Sequence, residues 1–395
     1  MTETIPTYDV VVVGGGPAGA TAACDLATAG RSVLLLDRAG RIKPCGGAIP
    51  PRLVRDFDIP DALLVARIAG ARMVSPSDVE VEMPIDGGYV GMVDRDSFDE
   101  FLRVRAATAG AERRTGRFET IIRDADGTAI VCYSADGQEI LLRARCVIGA
   151  DGANSAVART AIPGGKRPKL VFAYHEIVRS PAAADARYDP TRCDVIYRGS
   201  LSPDFYSWVF PHGETASIGT GSAEKGFSLR DSVARLRAAT GLDGLETIRR
   251  EGAPIPLKPL RRWDNGRDVI LAGDAAGVVA PASGEGIYYA MYCGRLVAQA
   301  AGAFIETRDA RALRAPRRAF MRAHGRVFLV LGGMQWFWYA SDKRRERFVA
   351  ICRDPDVQRL TWESYMNKCM PRREKAAQAR VFFKDLGHMF GLASS

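Results

Sequence analysis

Tyr8-Asp9-Val10-Val11-Val12-Val13-Gly14-Gly15-Gly16-Pro17-Ala18-Gly19 is a β-branched run emptying into a glycine turn. The valines have the composition of a buried parallel strand. Gly14, Gly16 and Gly19 fit G-x-G-x-x-G. Residues 21–29 read as a helix ended by Gly30, and Ser32-Val33-Leu34-Leu35-Leu36-Asp37 as a second apolar strand with an acid at its tip. The motif alone is weak evidence. Set strand–turn–helix–strand, with an acid about twenty residues on, it predicts a dinucleotide-binding βαβ unit. Gly14 permits the tight turn, Gly16 lets the backbone approach a pyrophosphate, and Gly19 lets the helix pack closely. The N–H groups of the helix start then face the diphosphate. Asp37 can accept from ribose hydroxyls and repels a 2′-phosphate, so the site suits FAD or NAD better than NADP.

The chain has 395 residues, enough for two or more domains, and its 47% hydrophobic and 26% charged residues are those of an ordinary globular protein. The first strand begins within eight residues of the N-terminus, so no signal or transit peptide is expected, and the expected location is the cytoplasm. Cys24, Cys45, Cys132, Cys146, Cys193, Cys293, Cys352 and Cys369 form no C-x-x-C pair and read as reduced thiols. The histidines are scattered, so no metal site is expected. The net charge of +9 is concentrated in residues 308–326, which hold seven arginines against Asp309. No nucleic-acid motif accompanies the charge. An anionic membrane surface or a diphosphate substrate fits it better.

Along the chain, a loop over 38–51 holds Pro44-Cys45-Gly46-Gly47-Ala48. Strand-like pieces follow at 70–75, 79–84 and 89–93, then a helix over 96–109. Pieces at 118–122, 129–134 and 139–143 predict an antiparallel meander turning at Asp126-Gly127 and Asp136-Gly137. Residues 146–149 read as a separate buried strand, 170–221 as strand-rich, 228–239 as a helix, 269–272 as a strand, and the chain from 287 onward as helical. A second domain is therefore inserted into the first. The predicted boundaries are 1–64, 95–164 and 261–310 for the dinucleotide domain, 65–94 and 165–260 for a β-rich substrate domain, and 311–395 for a helical C-terminal region. The apolar run 327–340 is too short to span a bilayer. Its cluster Trp336-Phe337-Trp338-Tyr339 reads as a core helix, a substrate-tunnel wall or an interfacial contact.

Two more motifs stand at strand ends: Gly149-Ala150-Asp151-Gly152 with Ser155, and Gly273-Asp274-Ala275-Ala276-Gly277 followed by Gly284-Glu285-Gly286-Ile287. Asp274 at a strand tip can accept from a ribityl or ribose hydroxyl. A helix opening at 284–287 can direct its amides at the O2 side of an isoalloxazine ring. Tyr206, Trp208 and Phe210 alternate, so they share one face of a strand and can line an apolar channel.

In this order the three motifs resemble the flavoprotein superfamily that includes aromatic hydroxylases and geranylgeranyl reductases. Arg95 resembles the position there that contacts FAD. Pro44-Cys45-Gly46-Gly47 resembles the cysteine-glycine loop of the reductases, and Pro203-x-x-Tyr206-x-Trp208-x-Phe210-Pro211 fits their P-x-x-Y-x-W-x-F-P motif in full. The tail is similar to the chlorophyll and bacteriochlorophyll branch, from Gln335 to Tyr339, through Asp342-Lys343-Arg344-Arg345-Glu346-Arg347-Phe348, to Asp354-Pro355-Asp356-Val357-Gln358-Arg359-Leu360.

The resemblance implies a Rossmann-type FAD domain in an α/β (α+β overall) fold, with an inserted antiparallel β-rich domain and a helical C-terminal region. It implies an NADPH-dependent flavoprotein oxidoreductase acting on CH–CH groups. The reaction would saturate three double bonds of a geranylgeranyl group, on pigment or as diphosphate, to phytyl. FAD contacts are expected at Gly14, Gly16, Pro17, Ala18, Gly19, Asp37, Arg38, Cys45, Gly46, Gly47, Ala48, Arg95, Asp151, Gly273, Asp274, Gly284, Gly286 and Ile287. Tyr206, Trp208 and Phe210 are expected to bind the prenyl chain, and Cys45, Tyr206 and Trp208 to serve as channel or proton donor. His175, Cys45 and water through Tyr206 stay open as the proton source. Chlorophyll synthase and a photosynthetic membrane surface are implied partners. An aromatic-type monooxygenase, an archaeal-type prenyl-lipid reductase and a non-catalytic pigment carrier are the alternatives.

Overall fold

The computed structural model describes residues 5–38, 40, 42–164, 169–182 and 187–368. Cys369 and the rest of the predicted C-terminal region, to residue 395, lie outside them. The chain forms two compact units, each built from three stretches of sequence: 1–43, 95–170 and 254–325 in the first, and 44–94, 171–253 and 326–395 in the second.

The first unit holds a seven-stranded mixed sheet. Its order is Glu112–Thr115, Val33–Asp37, Thr7–Val13, Gln138–Gly149, Ala129–Ala135 and Arg117–Arg123, with Val269–Leu271 added beside Gln138–Gly149. Thr7–Val13 runs parallel to both neighbours, and Val10 to Val12 are fully buried, as their valines require. Helix Pro17–Thr28 packs against Ile287–Thr307 and Arg95–Thr108. At Gly294 a Cβ would lie 2.3 Å from the Ala18 carbonyl oxygen, so that helix pair meets backbone to backbone.

The meander turns as expected. Asp136 (φ 49°) and Gly137 (φ 77°) form a two-residue loop closing the Ala135–Gln138 pair. One expectation is corrected: 139–143 and 146–149 are not two strands. Gln138–Gly149 is continuous, pairing antiparallel with Ala129–Ala135 through its first half and parallel with Thr7–Val13 through its second. The Ala144-Arg145 step between them carries no turn residue, so nothing ends the strand there.

The second unit holds a seven-stranded sheet in the order Thr247–Pro256, Leu170–Arg179, Thr215–Ser222, Ser207–His212, Arg192–Ile196, Gly70–Val74 and Glu80–Pro84. Helix Leu229–Thr240, capped by the Ser228 hydroxyl, covers one face with Val233 and Leu236 packed among Val209, Ala216 and Ile218. A three-stranded sheet (Ala48–Ile49, Val90–Val93, Leu64–Ile68) and helix Pro51–Asp56 lie in the same unit. Residues 44–64 group with this unit because Ala48 and Ile49 pair with Met92 and Gly91. Helices Asp342–Ile351 and Pro355–Asn367 also belong to it. The aromatic run splits: Trp338 and Tyr339 are buried, while Trp336 is 78% exposed.

Candidate functional site

In the first unit the glycine turn is assembled around the Val13 strand end. The Gly14 N–H donates to the Leu36 carbonyl at 2.7 Å. Gly14 has φ +107°, and a Cβ there would lie 2.3 Å from the Ala150 oxygen. At Gly19 a Cβ would lie 1.9 Å from the Gly14 oxygen, and at Gly15 it would lie 2.6 Å from Asp37 Oδ2. The fold itself demands glycine at Gly14 and Gly19, where the clash is with backbone; at Gly15 the Asp37 and Arg103 side chains would have to shift. Gly16, the N-cap of Pro17–Thr28, differs: a Cβ would meet nothing within 4 Å, and no side chain caps the helix. Open space therefore lies in front of first-turn amides, an arrangement that fits a diphosphate. Pro17 and Ala18 form the buried first turn.

Asp37 ends its strand with its carboxylate one-third exposed, and Oδ1 accepts from the Arg38 N–H at 2.8 Å. The Arg38 side chain is exposed. Arg103, which the sequence reading missed, lies 3.5 Å from Asp37 Oδ2 and donates to the Gly15 carbonyl at 3.4 Å. Its charge weakens the repulsion of a 2′-phosphate expected from Asp37 alone. Arg95 is buried at the start of its helix in a bidentate pair with Asp99, at 2.8 and 2.7 Å.

Asp151 turns inward. Oδ1 accepts from the Ser155 hydroxyl at 2.5 Å and Oδ2 from the Ala156 and Val157 amides at 2.6 and 3.2 Å. Burial pushes its pKa up against those hydrogen bonds. Both oxygens serve the N-terminus of Ala156–Ala161, so Asp151 shapes the turn.

Gly273 (φ +62°) brings the third motif against the first, since a Cβ there would be 2.7 Å from the Ala18 Cβ. Asp274 is buried and ion-paired with Lys43, a partner with no signature in the sequence. Gly284 (φ +66°) closes a tight loop, its N–H donating to the Ala280 oxygen at 3.0 Å. Gly286 is the N-cap of Ile287–Thr307, with no side-chain cap, and a Cβ there would be 3.8 Å from Asp274 Oδ1. Ile287 is buried.

In the second unit the cysteine loop packs on the aromatic strand. A Cβ at Gly46 would lie 3.0 Å from the Phe210 ring, and one at Gly47 (φ +72°) would lie 2.5 Å from both His212 Nε2 and the Val93 oxygen. The half-buried Cys45 Sγ accepts from the Gly47 N–H at 3.4 Å. Ala48 pairs with Met92. Tyr206, Trp208 and Phe210 form an aromatic ladder with centroid steps of 5.9 and 6.1 Å, extended by Tyr197 at 6.2 Å from Tyr206.

This face opposes the helix-covered one, and glycines make room on it. At Gly219 a Cβ would lie 2.2 Å from Trp208 Cζ2. His212 was also missed. Burial pulls its pKa down, against the Phe210 carbonyl it contacts at 3.0 Å and the charge of Asp94. The glycines at alternate positions in Thr215–Ser222 were a legible sign of close approach. His212 carried none.

The tail anchors this motif. Arg345 donates to the Pro203 carbonyl and to that of Tyr339, and pairs with Asp342 at 2.6 Å. Asp342 accepts from the Gly199 amide at 2.8 Å, and Phe348 packs on Tyr197 at 5.1 Å. Trp362, Tyr365 and Met366 pack with Phe210 around Ile68, Val90, Met92 and Cys193. No His/Cys/Asp/Glu cluster suited to a metal occurs among the described residues.

Residues 9–388 match the family model described as Lycopene cyclase protein. The chain is similar to the geranylgeranyl diphosphate reductase of Rhodobacter capsulatus, 59% identical over 98% of each chain. It is also similar to that of Synechocystis, 37% identical over 96% of this chain and 97% of the relative. Among solved structures it is similar to a geranylgeranyl bacteriochlorophyll reductase-like protein from Thermoplasma acidophilum. That match has a TM-score of 0.80, with 23% identity over 95% of this chain and 100% of the other. At that identity the likeness speaks for the fold.

Proposed function

The chain belongs to the geranylgeranyl diphosphate reductases, within reach of the lycopene cyclase family model, and from that premise we propose that it saturates three double bonds of a geranylgeranyl group in (bacterio)chlorophyll synthesis. The observation that carries the reading is the packing of the Pro44–Gly47 loop on the Tyr206–Phe210 ladder, two sequence-distant motifs meeting in one unit.

Gly14 to Gly19, Asp37 and Asp274, with the amides opening Ile287–Thr307, would hold FAD, and NADPH is the reductant we propose. FAD, when bound, supplies the hydride that an isolated, unpolarised alkene requires. The protein's own residues supply the rest. The aromatic ladder aligns the apolar chain and excludes water. The Cys45 thiol, fixed by the Gly47 amide, is our candidate proton donor. Three reductions on one chain require the prenyl group to slide, which a smooth aromatic wall permits.

No helix among the described residues is long and apolar enough to cross a membrane. Leu329 and Trp336, 77% and 78% exposed, lie seven residues apart on helix Ala315–Trp338, with Arg322 and Arg326 exposed upstream. We propose peripheral attachment there to an anionic membrane surface, with chlorophyll synthase as protein partner.

The test is anaerobic incubation with NADPH and FAD, offering geranylgeranyl diphosphate and geranylgeranyl-pigment separately, with mass spectrometry of the products. Mass gains of successive hydrogen pairs are expected. Strict oxygen dependence with a hydroxylated product would overturn the reading in favour of a monooxygenase.

A further inference from the structure

We propose that Ser217, His175 and Glu251 form a positioning relay that fixes the Trp208 indole and thereby sets how many double bonds are saturated before the prenyl chain is released. The proposal rests on reading Trp208 as a wall of the prenyl channel. All four residues project from neighbouring strands of the second unit's sheet. Trp208 and His175 both stand opposite Gly219, on its two flanking strands, and Ser217 is two residues from Gly219. All three side chains are buried.

The hydrogen bonds run in one direction. An indole N–H only donates, so Ser217 Oγ accepts from Trp208 Nε1, at 3.1 Å. Glu251 Oε2 lies 3.0 Å from His175 Nε2, and Glu251 Oε1 is paired with Arg249 Nε at 2.5 Å. A carboxylate only accepts, so His175 Nε2 carries the proton given to Glu251. In the neutral ring Nδ1 is then the acceptor for the Ser217 hydroxyl, at 2.8 Å. Every donor in the line has its acceptor.

Gly219 completes the arrangement. A Cβ there would lie 2.2 Å from Trp208 Cζ2 and 2.7 Å from the His175 Cβ. The indole therefore rests on bare backbone, its one polar atom pinned by Ser217. Both His175 ring nitrogens are hydrogen-bonded within the sheet, and in the relay His175 acts on Trp208 through Ser217. A wall held this way keeps its shape while successive double bonds are presented. A wall free to rock would lose alignment on the later ones.

The experiment is a double-mutant cycle on product distribution, using the FAD-loaded full chain with NADPH and geranylgeranyl diphosphate without oxygen. Ser217→Ala should raise the share of products with only one or two double bonds saturated about fivefold, the worth of one net hydrogen bond. In a Trp208→Phe background, which already lacks the indole N–H, Ser217→Ala should change nothing further. With the products compared at equal total conversion, a general loss of folded enzyme would leave their ratio unmoved.

Equal shifts in both backgrounds, or no shift from Ser217→Ala, would overturn the relay. If Ser217→Ala does not retain FAD, His175→Gln goes through the same cycle with the same expected silence beside Trp208→Phe. Failure of the wild-type chain to reduce any prenyl group would instead strike the functional reading, before the variants are compared.

Discussion

At Gly19 a Cβ would lie 1.9 Å from a backbone oxygen, whereas at Gly16 it would meet nothing within 4 Å. The two glycines fit one motif but differ: folding demands Gly19, whereas Gly16 faces open space, where the function proposed above puts ligand approach. Gly16→Val should therefore leave the melting temperature near that of the parent while weakening FAD binding by more than about tenfold, some 1.4 kcal/mol. Flavin absorbance after gel filtration measures it, and a fully yellow variant would remove Gly16 from the site. Cys45→Ala tests the proton donor. Its Sγ accepts from the Gly47 N–H at 3.4 Å, a single weak hydrogen bond. Losing a positioned general acid should lower kcat about 100-fold with FAD content unchanged. An unaltered kcat would leave the thiol as a packing residue.

Among the elements, strand Thr215–Ser222 and helix Ala315–Trp338 carry the most consequence. The strand shows how spacing was legible: Gly219 and Gly221 share a face, and both face rings, Trp208 and Phe205. The helix shows the opposite. Its apolar run did not reveal that Trp338 would be buried and Trp336 exposed, because burial on a helix depends on which side its neighbours cover. Trp336→Ser should reduce co-sedimentation with anionic vesicles several-fold without altering prenyl reduction in detergent, since an exposed indole contributes to interfacial binding and to little else. Undiminished co-sedimentation would place the contact elsewhere.

Over the whole molecule, acid sensitivity has an identifiable contributor. Burial raises the Glu176 pKa, but hydrogen bonds from Arg237 at 2.5 Å, Tyr174 at 3.0 Å and Arg250 at 3.2 Å outweigh it, leaving the net value below the ordinary 4.5. A carboxylate with a lowered folded pKa contributes stability fully above its unfolded pKa. That contribution is lost as pH falls through the folded value. Glu176→Gln should cost about 2 kcal/mol at pH 7. It should also flatten the decline in stability below about pH 4.5, which urea titrations across that range would read. A parallel decline in both proteins would assign the acid lability to other groups.

The local order of residues was enough to determine the βαβ unit at Tyr8–Asp37, the turn at Asp136-Gly137, the interleaving of two units, and the glycine turns at three strand ends. Each depends on short-range spacing, glycine geometry or β-branched runs, which neighbours in sequence settle between themselves. Tertiary structure alone decided the inward turn of Asp151, the Lys43–Asp274 and Arg103–Asp37 pairs, and the unbroken strand Gln138–Gly149. It also decided the alignment of Glu251, His175, Ser217 and Trp208 across the sheet. The two ion pairs and the His175 hydrogen bonds join residues more than 40 positions apart, which carry no periodic signal of the contact they will share. The Asp151 and Trp208 bonds are shorter in range, but which way those side chains turn is set by the neighbours that surround them in the fold.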